Sequence, residues 1–351
     1  MALLPPPAGP SVALLIAAGA LGAGAWLWLQ RNRRYTGAPS VSRAYDAWTE
    51  DRLLERLWGE HVHLGHYGNP PGRRDFRKAK SDLVHELVRW SGLDRLPRGS
   101  RLLDVGCGIG GSARILARDY GFHVLAISIS PAQIARAREL TPPELQERCR
   151  FAVMDALELD LPDGGGDAGF DAVWSVEAGP HMPDKQRYAD ELLRVLRPGG
   201  RLVVADWNRR DPAAGAMSRV ERLVMRQLLD QWAHPEFASI PGLQQHLEGS
   251  AWSGGMRVET ADWSVAMLPS WRESILEGFR RPRAVLGLGP RAVLQGLRET
   301  PTLLLMDWAF RSGLMRFGVF RASRGAQEPP AAQARASRAL EPSSADRSSR
   351  G

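Results

Sequence analysis

Apolar residues recur every three or four positions across 41–97, first as Trp48, Leu53, Leu54, Leu57 and Trp58, then as Leu83, Leu87, Val88 and Trp90, a period that predicts amphipathic helices. The stretch between the two groups is rich in Gly, Pro and His and reads as loop. From 101 to 212 short apolar runs alternate with helical stretches, the pattern of a parallel sheet flanked by helices. Strands are predicted at 101–105, 123–128, 150–154, 170–175 and 201–206. Residues 217–320 read as interrupted helix carrying several Trp and Phe. Beyond Arg324 the chain is Ala, Ser, Pro, Gln and Arg with hardly an aliphatic residue, which predicts disorder.

Residues 12–29 stand apart. They are uncharged, rich in Ala, Gly and Leu, close on Trp26 and Trp28, and are followed by Arg31, Arg33 and Arg34. A helix of that length spans about 27 Å, near the hydrocarbon thickness of a bilayer. Interfacial Trp with Arg just beyond predicts a single-pass membrane anchor with everything after residue 30 on the cytoplasmic side. A cleavable signal peptide is the competing reading, since Ala23-Gly24-Ala25 has the small residues of a cleavage site, but no positive charge precedes the apolar run. The expected organisation is an anchor over 1–34, a helical lid segment over 41–97, an α/β core over 98–212, the remainder of the core with a further lid over 213–324, and a disordered tail over 325–351.

Composition adds constraints. Of 351 residues 44% are hydrophobic and 24% charged, as in an ordinary globular protein with a sizeable core. Two cysteines, Cys107 and Cys149, are too few for a disulfide framework and suit a reducing compartment. The net charge of +7 comes largely from arginine, clustered at 31–34, 73–80 and 280–283. Such clusters suit an anionic membrane surface; with no aromatic and basic RNA-binding signature beside them, nucleic acid is not an expected partner.

The run Leu102-Leu103-Asp104-Val105-Gly106-Cys107-Gly108-Ile109-Gly110-Gly111 carries the strongest chemical signal. An apolar strand ends in a glycine turn and enters a helix near Ser112, so backbone amides become available to a ligand. Alone it is ambiguous, because Gly106, Gly108 and Gly111 also satisfy a dinucleotide-binding fingerprint. Three further features resemble the class I S-adenosylmethionine-dependent methyltransferases. They are a carboxylate at Asp104 two residues before the first glycine, Met154-Asp155-Ala156 ending the third strand, and Leu196-Arg197-Pro198-Gly199-Gly200 before a later strand. The resemblance spans 101–206 and implies a Rossmann-like α/β fold with a mostly parallel seven-stranded sheet and flanking helices, to which an N-terminal transmembrane helix and helical lid elements are added. It also implies S-adenosyl-L-methionine as cofactor, with Asp104 beneath its amino-acid end, Gly106, Cys107, Gly108 and Gly110 forming the turn, and Asp155 and Ala156 meeting the adenine. One departure stands out. The second strand ends in Ile127-Ser128-Ile129-Ser130 where an acidic residue usually takes the ribose hydroxyls, leaving Ser128 as an uncharged substitute. Cys107 reads as a small packing residue, having no base near it in sequence.

Within that superfamily the chain resembles the methyltransferases of prenylated hydroquinones and tocopherols. The shared residues are Tyr45-Asp46, Leu57-Trp58-Gly59-Glu60-His61, Gly65-His66-Tyr67, the run from Ser175 through Glu177 and His181 to Lys185, Trp271-Arg272, Gly278-Phe279, Ala309-Phe310-Arg311 and Gly318-Val319-Phe320-Arg321, so that the likeness covers about 41–324. It implies C-methylation of a prenylated hydroquinone ring on the route to tocopherol. Methylation of a tocopherol or a plastoquinol precursor is the runner-up, and a membrane-tethered binding protein without turnover is the non-enzymatic alternative. A prenyl-tailed substrate is membrane-soluble, so a membrane is an expected partner.

Methylating a ring carbon demands alignment and exclusion of water. A phenol with a pKa of about 10 is mostly protonated at neutral pH, so a nearby base helps. His181 is the first candidate because it follows the fourth strand, in the crevice outside the carboxyl ends of the strands. As a base it predicts turnover falling below a pKa of about 6.5. Glu177, four residues earlier, is placed to orient that histidine or to contact the cofactor. Tyr45, His61, His63, His66 and Tyr67 belong to the segment expected to cover the site, each a candidate for a quinol hydroxyl. A metal is not expected at His61, His63 and His66, because no paired carboxylate or cysteine completes a ligand set there.

Overall fold

Seven strands form one sheet: β1 Arg101–Val105, β2 His123–Ser128, β3 Cys149–Val153, β4 Phe170–Val176, β5 Leu196–Arg209, β6 Glu259–Asp262 and β7 Met315–Ser323, in the order β3-β2-β1-β4-β5-β7-β6. The structure, a computed structural model, describes residues 35–165, 168–287 and 289–325. Strands β1 to β5 run parallel, and β7 lies antiparallel between β5 and β6. The strand order reverses between β1 and β4, so their carboxyl ends open the crevice in which such sheets bind ligands.

The inner strands bury both faces because helices cover both, and successive residues feed opposite cores. Leu102, Val124, Trp174 and Val203 enter one apolar cluster, while Leu103, Val105, Val173 and Val204 enter the other. The helices are α1 Ala38–Glu50, α2 Leu53–Trp58, α3 Phe76–Ser91, α4 Gly111–Tyr120, α5 Pro131–Leu140, α6 Lys185–Arg194, α7 Arg219–Gln231, α8 Ile240–Glu248, α9 Ser264–Met267, α10 Pro269–Arg280, α11 Pro282–Leu286 and α12 Pro290–Arg311. α3 begins where the Asp75 carboxylate accepts from the N–H groups of Arg77 and Lys78 at 3.0 and 2.9 Å, and stops at Gly92 with φ +72°. α1 docks on α5, where the Asp46 carboxylate accepts from the Ser130 hydroxyl at 2.5 Å and the Ala132 N–H at 3.2 Å.

β1 and β2 coincide with the expected strands. β3 starts one residue earlier, β4 ends one residue later, and β5 takes in the Pro198-Gly199-Gly200 stretch expected as a turn, with a shift in register against β4. β6 and β7 fall inside the segment read as interrupted helix. The physical reason is that β7 buries both faces from Phe317 to Phe320 and so lacks the alternation that marks a strand. The expected anchor is also corrected. Among the described residues no helix is long and apolar enough to cross a membrane, and residues 1–34, on which the single-pass span and its cytoplasmic orientation rested, lie outside the described residues. Residues 326–351 of the expected tail lie outside them too.

Candidate active site

After β1 the chain turns through Gly106, Gly108 and Gly110, with φ of +81°, +55° and +82°. Such values strain any residue with a Cβ. A Cβ on Gly106 would sit 2.5 Å from that of Ala178, whereas one on Gly108 would meet nothing within 4 Å. The first glycine is therefore closed in by protein and the second is open to the cavity it lines. The N–H groups of Gly106 and Cys107 both donate to the Ile127 carbonyl at 2.9 Å, which ties the turn to the end of β2.

Asp104 lines the same cavity and is 2% exposed. Its Oδ2 has no hydrogen-bond partner among the described residues, and burial pushes its carboxyl up to about 7. A buried carboxylate oxygen left this way is costly unless a ligand supplies a donor. Ser128 also lines the cavity, but its hydroxyl donates to Gln133 Oε1 at 2.7 Å and accepts from the Ser130 N–H at 3.1 Å. Its proton is already spent, and the Gln133 amide is the second polar group at this wall. Gln133 was missed in the sequence, although Ser130-x-x-Gln133 is a helix-capping pattern that places it there. Asp155 and Ala156 complete this side, with Asp155 Oδ1 accepting from the Leu157 N–H at 2.9 Å. Burial drives the Cys107 thiol well above its ordinary range, as suits a packing residue and not a nucleophile.

The facing wall comes from β4 and the N-terminal helices. Glu177 takes φ +56°, a conformation that costs a non-glycine residue about 1–2 kcal/mol. It is held there by its N–H donating to Ala205 O at 2.7 Å and its Oε1 accepting from the Leu64 N–H at 2.8 Å. Burial raises its carboxyl, opposed by the Leu64 N–H and by Lys80. Among the described residues no hydrogen bond joins Glu177 to His181. The partner of His181 is Tyr45, whose hydroxyl lies 2.7 Å from Nε2, and the imidazole stacks on His234 with centroids 4.2 Å apart. Burial, with Lys185 adding to it, lowers His181 to about 3, so the titration near 6.5 expected of it is corrected: the ring stays neutral. Burial raises the Tyr45 phenol, which stays neutral as well.

His61 and His63 line the cavity, while His66 and Tyr67 do not. His66 packs its ring against Trp263, and Tyr67 is buried with its N–H donating to Ala266 O at 2.9 Å. His63 Nδ1 lies 2.8 Å from Leu64 O, an acceptor only, so the proton is assigned to Nδ1 and Nε2 accepts from His61 Nδ1 at 3.0 Å. That assignment leaves His61 Nε2 as a lone pair. Burial lowers both histidines, His63 to about 3.

Lys80 was missed. It is 1% exposed, and its Nζ donates to the carbonyls of His61, Val62 and His63 at 2.9, 3.3 and 2.8 Å while lying 4.7 and 4.8 Å from the ring centroids of Trp58 and Phe76. Burial lowers its pKa against the pull of Glu177. The signal was present, since Lys80 sits on the apolar stripe Phe76, Leu83, Val84 and Leu87, but it was absorbed into the basic cluster at 73–80. Nothing in the sequence pointed to His234, which follows Ala233 at φ +54°. Beyond the Tyr45–His181 pair the cavity is walled by Trp232, Trp271 and Leu303.

Residues 103–204 match the family model described as a methyltransferase domain. The fold is that of geranyl diphosphate C-methyltransferase from Streptomyces coelicolor A3(2), solved with S-adenosyl-L-homocysteine (TM-score 0.60, 20% identity, covering 82% of this chain and 97% of that one). It is shared with Haemonchus contortus phosphoethanolamine N-methyltransferase 2, solved with S-adenosyl-L-methionine (TM-score 0.60, 19% identity, 79% of this chain and 57% of that one). The protein is a class I methyltransferase with S-adenosyl-L-methionine as its cofactor. It is 54% identical, over 90% of its length and 94% of the relative's, to 2-methyl-6-phytyl-1,4-hydroquinone methyltransferase of Synechocystis sp., and 31% identical to the chloroplastic tocopherol O-methyltransferase of Arabidopsis thaliana, over 76% of its length and 77% of the relative's. The chain belongs to the 2-methyl-6-phytyl-1,4-hydroquinone methyltransferase family.

Proposed function

We propose that this protein methylates a ring carbon of 2-methyl-6-phytyl-1,4-hydroquinone, giving the 2,3-dimethyl form in tocopherol biosynthesis. The observation that carries the reading is one cavity with three chemistries in sequence: the unpartnered Asp104 and glycine turn, the neutral Tyr45–His181 pair, and the apolar wall of Trp232, Trp271 and Leu303. That order suits a cationic cofactor, a quinol head and a prenyl tail. The identity to the Synechocystis enzyme supports the same substrate.

Asp104, the turn at Gly106, Cys107 and Gly108, Ser128 with Gln133, and Asp155 with Ala156 would hold the cofactor, while Gly110, expected with them, lies off the cavity against Phe151 and Arg114. When bound, S-adenosyl-L-methionine would supply the methyl group as a sulfonium and leave as a neutral thioether, and the proton lost from the ring carbon would pass to the Glu177 carboxylate, which lines the same cavity. The neutral leaving group needs no acid, so the protein's task is to orient the ring and exclude water. Tyr45 and His181 meet the quinol hydroxyl. Burial holds the His181 imidazole neutral, which disfavours complete proton transfer to it from a quinol hydroxyl. His181 Nε2 accepts from the Tyr45 hydroxyl, so the Tyr45 oxygen is the acceptor that the pair offers to the quinol hydroxyl, raising electron density on the ring without taking the proton away. Glu177 and Lys80 position the segment carrying His61 and His63. The test is incubation with methyl-labelled cofactor and a panel of prenylated hydroquinones and tocopherols. Label on the ring carbon of 2-methyl-6-phytyl-1,4-hydroquinone is expected; label confined to γ-tocopherol, or none, overturns the reading.

A further inference from the structure

α12 is apolar on two opposite faces. Its inner face turns Gln295, Glu299 and Leu303 to the cavity and buries Met306 and Phe310. Its outer face carries Leu294, Leu297, Leu304 and Trp308, which fall at helical spacing into one stripe. Neighbouring elements widen the stripe, since Phe279 of α10 and Val220 and Leu223 of α7 are exposed as well, and both helices pack against α12. These seven side chains are 40–77% exposed, and among the described residues the other large hydrophobics exposed to this degree are Val153 and Val265. A stripe of exposed apolar side chains on helices that pack together is the kind of surface that marks a docking face.

The charge beside the stripe selects the occupant. On α7 the apolar pair is interleaved with Arg219, Arg222 and Arg226, all exposed, and Arg219 and Arg226 form no ion pair among the described residues. A second copy of the chain would bring the same arginines against themselves across a two-fold axis. Anionic headgroups complement them, and an apolar face edged by arginine is the pattern of a helix lying in a membrane interface. We propose that the outer face of α7, α10 and α12 docks side-on against an anionic lipid bilayer, without crossing it, so that α12 alone separates the bilayer from the cavity. The docking face rests on its own exposed side chains and charges; with the prenyl-tailed substrate proposed above, it gives that substrate a route out of the lipid.

Cys107 and Cys149 are both buried, so a thiol-reactive, polarity-sensitive dye reports on an introduced cysteine. The full chain is labelled at Leu297→Cys, with Val153→Cys on β3, at the opposite end of the sheet from β6, as the control. Phosphatidylglycerol vesicles are expected to shift the dye at 297 to the blue, and brominated lipid to quench it, while the dye at 153 is unmoved. Phosphatidylcholine vesicles should act more weakly. Replacing Arg219, Arg222 and Arg226 by Ala should raise the vesicle concentration for half-response about fivefold per charge removed. A dye at 297 that ignores vesicles overturns the proposal, as does an equal response at 153, or a dye at 297 already shifted in a dimer without lipid. Turnover of quinol in detergent micelles is measured alongside. Normal turnover with a silent dye removes the docking surface and leaves the substrate reading standing; a responding dye with no quinol turned over does the reverse.

Discussion

Replacing Asp104 by Asn keeps the shape of the carboxyl and removes its charge. Burial holds this group at about 7 against the ordinary 3.8, a difference of about 3 units, or roughly 4 kcal/mol for ionising it where it stands. A folded pKa above the unfolded one means that the folded state keeps the proton longer. The contribution to stability is then fully present below pH 3.8 and is lost as pH rises through about 7. The empty Asp104→Asn protein should accordingly be more stable than the parent at pH 8, by at most about 4 kcal/mol, and equal to it near pH 4. Cofactor binding should run the other way. The cofactor's ammonium group compensates the ionised carboxylate, so the parent's affinity should fall about tenfold per unit as pH drops below 7, with a proton released on binding. Asp104→Asn should lose that slope and, at pH 8, roughly 10²–10³-fold in affinity, the scale for breaking a buried charge pair. Calorimetric titration between about pH 5.5 and 8.5, in two buffers of different ionisation enthalpy, reads slope and proton count together with the Asn variant's affinity. A parent affinity flat across that range and equal to the variant's would refute the placement of Asp104 at the cofactor.

His181→Ala should leave cofactor affinity nearly intact and lower turnover roughly 10²-fold, and the parent's rate profile should show no acidic limb near 6.5 assignable to this residue; a limb there that vanishes in the variant contradicts the buried neutral ring. Gly106→Ala should unfold or strongly destabilise the protein, because its Cβ lands 2.5 Å from Ala178, whereas Gly108→Ala should stay folded with about 1 kcal/mol of strain and lose cofactor affinity, as melting and binding measured together will show. Lys80→Met should destabilise the fold by about 3–5 kcal/mol, since it leaves the carbonyls of His61, Val62 and His63 without a donor and Glu177 without its cation, and in the folded protein should raise KM for the quinol several-fold; an unchanged KM rules out the positioning role.

The strand, turn and helix start that wall one side of the cavity were legible because they are local. Asp104, the three glycines and Ser128 lie on contiguous runs whose spacing is set by a strand, a turn and a helix start, so their placement follows from the pattern itself. The acceptor half is assembled from distant pieces. Tyr45 and His181 are separated by 136 positions yet meet at 2.7 Å, and His234 joins them from the turn after α7. Residue type gave Tyr45 and His181 as candidates but not His234; only packing brings the three together. The same limit explains Lys80, whose chemistry depends on which face of α3 is buried, and β7, whose burial on both faces erases its period.

Burial also explains why the histidine chemistry reads differently in the folded chain. His61, His63, His181 and His234 are each lowered by desolvation, and among the described residues no carboxylate is hydrogen-bonded to any of them to hold a proton in place. All four stay neutral at physiological pH. A site for a cationic methyl donor gains from this, because an imidazolium a few ångströms from the sulfonium would repel it strongly in a medium of low dielectric constant. In the cofactor site proposed above, Asp104 would supply the negative charge, its burial making ionisation costly until a cation arrives. Transfer of the methyl group removes the sulfonium charge, so part of that compensation lapses in the product and Asp104 again carries an incompletely matched charge. The buried carboxylate thus favours the donor over its demethylated product, and Asp104→Asn should narrow the ratio of their affinities; a ratio identical in variant and parent would show that Asp104 senses only the amino-acid end the two ligands share.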